Sequence, residues 1–497
     1  MAAWAARDLG REVKWTATRS ANYREGAHGR DHRTTAELAL TADGEFLGHR
    51  VQTYAGVGGY ALGGGAAMPG WYGRLLSSQY VIPAIYCESN AVFTTTAPVH
   101  SYRGAGRPEA IYVTERLVDV AAAALGRDPV ELRRQNLIDS GAFPYETAVG
   151  ATYDSGDYEP VLDRAADAVA EEPRGGELDE NGRLRGVGVA CYTESTGGGF
   201  ESGVVRVHPD GSVTVTAGTH DHGQGHGTTY AAIVADELPV GPADIKVVEG
   251  DTAQGPTGTG TFGSRSTIVG GNAVAEGATA VREKARRIAA AELEADPEAV
   301  SIVEEGFAAG DGRCSFATVA SSAYGRGLPE DLEPGLEATT FYELDETAYT
   351  FGAHAVAVAV DPETGELEFE RYVAVDDCGV QVNPKLVEGQ VHGGVAQGIG
   401  QARSEHATYD EEGHLEAATM LDYALPRATD LPDIETRAQE TPSPTNALGV
   451  KGIGEAGTVA APPAVVSAVT DALPGVDHVD MPLTDEAVAS ALEESEK

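Results

Sequence analysis

The chain has 497 residues and 42% hydrophobic content, a globular composition long enough for several buried cores and not that of a disordered chain. Asp and Glu number 77 against 35 Lys and Arg, a formal charge of −42, which excludes a nucleic-acid phosphate surface or an anionic membrane as a natural partner. No run of 18 apolar residues is present to span a bilayer, and the N-terminal MAAWAARDLG lacks the apolar core of a signal peptide.

The bases are skewed as well, with only six lysines beside 29 arginines. An acidic, lysine-poor chain suits a cytoplasm of multimolar salt, where the screening length falls to roughly 3 Å and self-repulsion fades. The four cysteines, Cys87, Cys191, Cys314 and Cys378, are far apart and form no C-x-x-C. They offer neither a metal framework nor a disulfide scaffold, and they fit a reduced cytoplasm.

In chain order, Ala36–Leu40 and Phe46–Tyr54 alternate apolar and polar residues around Ala42-Asp43-Gly44, which predicts a hairpin. Pro108 at a first helical turn, an apolar stripe through Ala121 and a closing Gly126 predict a helix from 107 to 126, and Asp128-Pro129 opens another through Leu137. Residues 140–182 show no strong strand pattern. The polar, glycine-rich stretch 171–182 is the best linker, dividing the chain into 1–170 and 183–497. Strands are expected at 186–192, 203–207, 213–217, 354–360 and 368–376. Helices are expected at 228–238, 272–295 and 462–473, the last with proline in its first turn. The mixture predicts an α/β to α+β fold.

Five segments are too rich in glycine and polar residues to be ordinary core: Ser101–Ala110, Thr219–Thr229, Gly258–Thr267, Asp377–Ala402 and Gly449–Gly457. Most adjoin an expected helix start, where unpaired N–H groups and the helix dipole favour anions. Together they predict a large, charged cofactor threaded between domains. Rival readings exist for each. Gly452–Gly457 spells G-x-G-x-x-G, but Thr441–Asn446 before it is no parallel strand, as the dinucleotide fingerprint would need. His220, His222 and His226 could ligate a metal, yet intervening glycines fix no ligand spacing. Arg103 and Arg107 could be surface arginines, and Glu455 a solvated glutamate.

In this order the five segments resemble those of the molybdenum hydroxylases, the family of xanthine dehydrogenase, aldehyde oxidoreductase and carbon-monoxide dehydrogenase. The likeness is to the molybdopterin-binding large subunit and runs from about Leu9 to Ala491. It implies two molybdenum-cofactor-binding domains without the N-terminal hammerhead domain. It further implies that Glu455 is the base beside molybdenum and that Arg103 lines the substrate pocket. Gly104, Ala105, Gln224, Gly225, His226, Thr228, Ser264, Arg265, Ser266, Gln390, Lys451 and Gly452 then contact molybdopterin cytosine dinucleotide. No protein atom would ligate the metal, which the pterin dithiolene holds. The implied activity inserts water-derived oxygen into an N-heterocycle or aldehyde carbon and passes electrons to iron–sulfur and FAD subunits, because this chain has no cysteine framework of its own.

Two departures stand out. Copper-containing carbon-monoxide dehydrogenases carry a cysteine where this chain has Gly104, so no thiolate is supplied there for copper(I). The family's Gly-Gly-Gly-Phe-Gly loop has no counterpart before Ala5. The expectation is therefore a separate polypeptide supplying that region. The alternatives are a non-catalytic fragment or half-subunit, and a carbon-monoxide dehydrogenase-like large subunit.

Overall fold

The structure is a computed structural model and describes residues 1–495 apart from 256, 326, 327 and 330. A five-stranded sheet organises the centre. Its spatial order is Ile434–Gln439, Leu367–Asp377, Ala348–Val360, Leu184–Thr196 and Glu177–Leu178. Only the first two of these pair in parallel. Ala348–Val360 is buried along its whole length, which explains its near-continuous apolar sequence: both faces are covered.

One face is covered by the helix Ala456–Ala472, itself buried throughout. Gly186 and Gly188 let it approach: a Cβ at either would lie 2.2 Å from the carbonyl oxygens of Ala468 and Ala464. The helix Pro384–Arg403 packs beside it through small residues, Gly394 against Gly457 and Gly398 against Ala461. On the opposite face lie Tyr158–Ala168 and the N-terminal region. There the hairpin His32–Leu40/Phe46–Gly56 adds Ile85–Val92 in parallel, backed by Arg107–Leu125.

The N-terminal region is bonded to the central sheet by buried polar groups. Gln79 Nε2 donates to the carbonyls of Tyr192 and Gly352, each at 2.8 Å. Glu115 accepts from Tyr80, Arg133 and the Cys191 N–H at 2.7–2.9 Å. Both carboxylate oxygens of Glu115 are thus partnered, as a buried charge requires. Residues 171–182 run along the sheet edge, where Glu177–Leu178 pairs with Leu184 and Arg185.

A second sheet orders Ile245–Val248, Val213–Ala217, Phe200–Val207 and Glu337–Glu343. It carries His226–Glu237 and Asn272–Glu292. The chain passes from the first sheet to the second through Gly197-Gly198-Gly199, all three with positive φ. This corner places the functional site.

Most expected elements form with longer strands and shifted ends, among them Leu184–Thr196 for 186–192 and Asn272–Glu292 for 272–295. Three differ. The last long helix begins at Ala456 and not Pro462, so Pro462 and Pro463 lie inside it; packing on all sides overrides the local cost of proline. Asp377–Ala402 is not a continuous loop: Pro384–Arg403 is a helix whose glycines are its contact face. Tyr158–Ala168 is a helix within 140–182, a stretch without a strong strand pattern to which no helix was assigned.

Candidate active site

At the glycine corner lies a cleft of about 610 Å³, within the usual range for small-molecule sites. Four helix starts open onto it: His226–Glu237, the turn Ser266–Gly271 that leads into Asn272–Glu292, Pro384–Arg403 and Ala456–Ala472. Their unpaired N–H groups give the cleft a positive character.

Glu455 is the residue before Ala456–Ala472. Its Oε1 accepts the Gly104 N–H at 2.8 Å. Its Oε2 lies 3.2 Å from Ser264 Oγ and 3.7 Å from Arg107 Nη1. The Glu455 N–H also donates to Ser264 Oγ, at 3.1 Å. Ser264 adopts φ 51°, an unusual conformation for a residue with a side chain, and its loop lies against Gly452. A Cβ at Gly452 would be 2.0 Å from the Ser264 carbonyl oxygen, so only glycine fits there.

Arg103 ties its own loop to the Gly454 loop and to the helix Pro384–Arg403. It donates to the Gly454 carbonyl (2.6 Å), Gln397 Oε1 (2.9 Å) and the Gln390 carbonyl (3.1 Å), with a longer contact to Gln390 Oε1 (3.4 Å). Burial lowers its pKa, while Glu455 and Glu194 oppose the shift. Arg107 is buried, not superficial, and donates to Ser195 and to the Gly104 carbonyl.

Of the other expected contacts, Gln224, His226, Ser264, Arg265, Ser266, Gln390, Lys451 and Gly452 line the cleft. The Arg265 guanidinium, however, is fully buried and occupied by Glu201 and the carbonyls of Gly198, Phe200 and Gly260; it builds the wall. Gly225 caps His226–Glu237 with φ 81° behind Gln224. Gly104 serves through its N–H. Ala105 faces away, toward a small hollow with Arg30, His32 and Glu109. Thr228 is exposed, and its neighbour Thr229 lines the cleft instead. The three histidines form no metal-ligand group among the described residues. His226 Nδ1 is 3.0 Å from Glu249 Oε1, and the rings of His220 and His222 stack edge-on at 4.8 Å.

Sequence reasoning missed Glu194, Asn383, Gln397 and Cys378. Glu194 is fully buried next to Ser264, its Oε1 2.7 Å from Ser264 Oγ. Burial first, and then the charge of Glu455, push its carboxyl up to about 8, opposed by Arg107 and Arg103. The available signal was an acid inside an otherwise buried strand just before three glycines. Burial raises the Cys378 thiol, so it stays protonated on the cleft wall.

Lys451 is on the cleft wall, but its charge turns away from the opening. Its Nζ is buried without a hydrogen-bond partner among the described residues, 3.8 Å from Asp377 and over the Phe351 ring. A buried unsatisfied ammonium is costly. The four helix N-termini and the Gln224, Ser266 and Gln390 side chains that line the cleft do fit a large ligand that carries anionic oxygens. The class of protein this defines is one that encloses an anionic cofactor between two sheet-based halves, with a carboxylate at the inner end.

The comparisons with known proteins agree. Models of the molybdopterin cofactor-binding domain match residues 1–137 and 162–432, and the chain belongs to that family. It is 39% identical to the carbon monoxide dehydrogenase large chain of Hydrogenophaga pseudoflava, over 98% of this chain and 64% of that one. It is 34% identical to the nicotine 6-hydroxylase large subunit of Paenarthrobacter nicotinovorans, over 98% and 63%. The crystal structure of quinoline 2-oxidoreductase from Pseudomonas putida 86 superposes with a TM-score of 0.92 at 33% identity, covering 99% of this chain and 66% of that one. The chain thus spans less than two thirds of the length of these relatives. No helix among the described residues is long and apolar enough to cross a membrane.

Proposed function

We propose that this chain is the molybdenum-cofactor-binding part of a hydroxylase that oxidises an N-heterocycle or aldehyde carbon. The observation that carries the reading is Glu455, fixed at the inner end of the cleft by the Gly104 N–H and Ser264. When bound, the molybdopterin cofactor, in its cytosine dinucleotide form, supplies the oxidation and the water-derived oxygen. Gln224, His226, Ser266 and Gln390 hold it, with Lys451, Gly452 and Ser264 forming the close wall. Glu455 takes up the proton released in the reaction. Arg103 keeps the 101–106 loop, Gly454 and Pro384–Arg403 in register around it. Electrons leave to iron–sulfur and FAD subunits in the cytoplasm, which suits four cysteines without disulfides.

Two relatives carry the names of N-heterocycles, nicotine and quinoline, which supports that substrate class. With Gly104 where a thiolate would be needed, that loop gives copper(I) no soft ligand, so the loaded protein is expected to hold molybdenum without copper and to leave carbon monoxide unoxidised. The role of Glu455 is tested by Glu455→Gln. With the cofactor still bound, turnover should fall by about 10²- to 10⁴-fold, as for loss of a general base. Near-normal turnover in a fully loaded variant would reject it.

A further inference from the structure

Ser264 Oγ has one proton and two carboxylates within reach: Glu194 Oε1 at 2.7 Å and Glu455 Oε2 at 3.2 Å. It also accepts the Glu455 N–H. A hydroxyl donates once and accepts twice. If both acids were ionised, one carboxylate would face Ser264 with no proton between them, in a site where Glu194 is wholly buried. The count closes if Glu194 carries a proton and donates it to Ser264 Oγ. Ser264 then donates to Glu455 Oε2, and every hydrogen-bonding valence of the hydroxyl is used.

We propose that Glu194 is held as a neutral acid that acts through Ser264 as the positioning residue of Glu455, keeping the base supplied with a donor and aimed. The proposal rests on the reading of Glu455 as the base and extends it. Like-charged carboxylates so close cannot both ionise cheaply. Glu194 lies on the strand Leu184–Thr196 and Ser264 on the 258–265 loop, while Glu455 heads the helix Ala456–Ala472. The arrangement therefore joins three elements that meet only in the folded chain.

The charged and titratable groups around Glu194 are Glu455, Arg107 and Arg103 from the facing elements and Tyr192 from its own strand. The two arginines sit nearer Glu455: Arg107 Nη1 lies 3.7 Å from Glu455 Oε2, and Arg103 donates to the adjacent Gly454 carbonyl. Glu194 Oε2 has no hydrogen-bond partner among the described residues. That is tolerable for the carbonyl oxygen of a neutral acid and costly for a carboxylate.

The neutral acid has an infrared signature that needs no cofactor. The purified chain at neutral pH should show a carboxylic-acid C=O band that shifts in D₂O, fades as pH rises beyond about 8, survives in Glu455→Gln and is missing in Glu194→Gln. Identical spectra for wild type and Glu194→Gln in this region would overturn the proposal, whether or not the loaded protein turns over any substrate. In the loaded enzyme, Gln still donates to Ser264 but cannot ionise, whereas Met fills the space and donates nothing. Glu194→Met should therefore lower kcat by roughly ten- to a hundredfold, the worth of one hydrogen bond in a charged chain, with KM little changed. Wild-type kcat should fall as pH rises beyond about 8, and Glu194→Gln should recover most of the Met variant's loss and lack that alkaline fall. A Gln variant as impaired as the Met variant, or one that keeps the alkaline fall, would show that Glu194 is not a fixed neutral donor.

Discussion

Over the whole chain acids outnumber bases 77 to 35, whereas the walls of the cleft gather Arg103, Arg107, Arg265 and Lys451 and four helix N-termini. Lys451 is the one lysine buried among the described residues. The surface charges face water and interact weakly with one another, pairs such as Arg206–Glu337 and Arg427–Asp430 included. The cleft charges are desolvated and held in fixed geometry. The contrast shows how a strongly acidic protein can keep an anionic ligand: long-range repulsion is a matter for the solvent, the buried cations are tied up in building the wall, and capture falls to the helix N-termini and amide side chains that line the cleft.

The largest effect should come from changing the solvent. Between low and multimolar KCl the unfolding midpoint should rise steeply, because net charge −42 opposes compaction until it is screened. Cofactor content of the folded protein should stay level over the same range. A flat midpoint would break the comparison on the surface side, and cofactor lost with added salt would break it in the cleft.

Next in size is the wall. Arg265 and Glu201 are both fully buried, and Glu201 also accepts the N–H groups of Thr259 and Gly260. Removing one partner leaves a buried charge, so Arg265→Met should cost about 3–5 kcal/mol. Denaturant unfolding measures it, and the loss should persist in high salt. A cost below about 1 kcal/mol would mean that the pair is solvated.

The sequence made the cleft legible because glycine loops before helices advertise anion sites, and these lie in five separate places that only the fold unites. The helix Pro384–Arg403 was hidden by its own glycines, which read as loop until Gly394 and Gly398 are seen against another helix. Arg265 was visible in its motif, but its direction was not: nothing local says that the guanidinium turns toward Glu201, 64 residues earlier. Glu194 stood out only as an acid before three glycines, and its role was hidden for the same reason, since its partner Ser264 is brought near only by the turn from one sheet to the other.

A smaller change probes the inner end. Gly104 has φ 101°, and a Cβ there would lie 2.5 Å from Pro108 Cγ. Gly104→Ala must strain or move the loop, at a cost on the order of 1–3 kcal/mol. It should also draw the N–H away from Glu455 Oε1. Turnover should fall while Glu455 and the bound cofactor remain. Unchanged turnover at full molybdenum content would show that this N–H does not hold the base.

The smallest expected effect separates the two faces of one motif. Gln224 and Thr228 stand four residues apart in His222–Thr229, around the start of the helix His226–Glu237. Gln224 lines the cleft, with its Oε1 accepting the His222 N–H at 2.5 Å. Its amide N–H₂ therefore remains a donor for a ligand oxygen. Thr228 is exposed, and the hydroxyl on the cleft side belongs to Thr229, which donates to the Gly225 carbonyl. Thr228→Ala should change stability by less than about 0.5 kcal/mol, as for a surface site without special contacts, and leave molybdenum content intact. Gln224→Ala should lower molybdenum retention by about the worth of one hydrogen bond, 0.5–1.5 kcal/mol. Metal analysis after dialysis compares the two. Equal losses would place both faces of the turn on the cofactor and move the boundary between solvent-governed surface and ligand-governed cleft outward by a full helical turn.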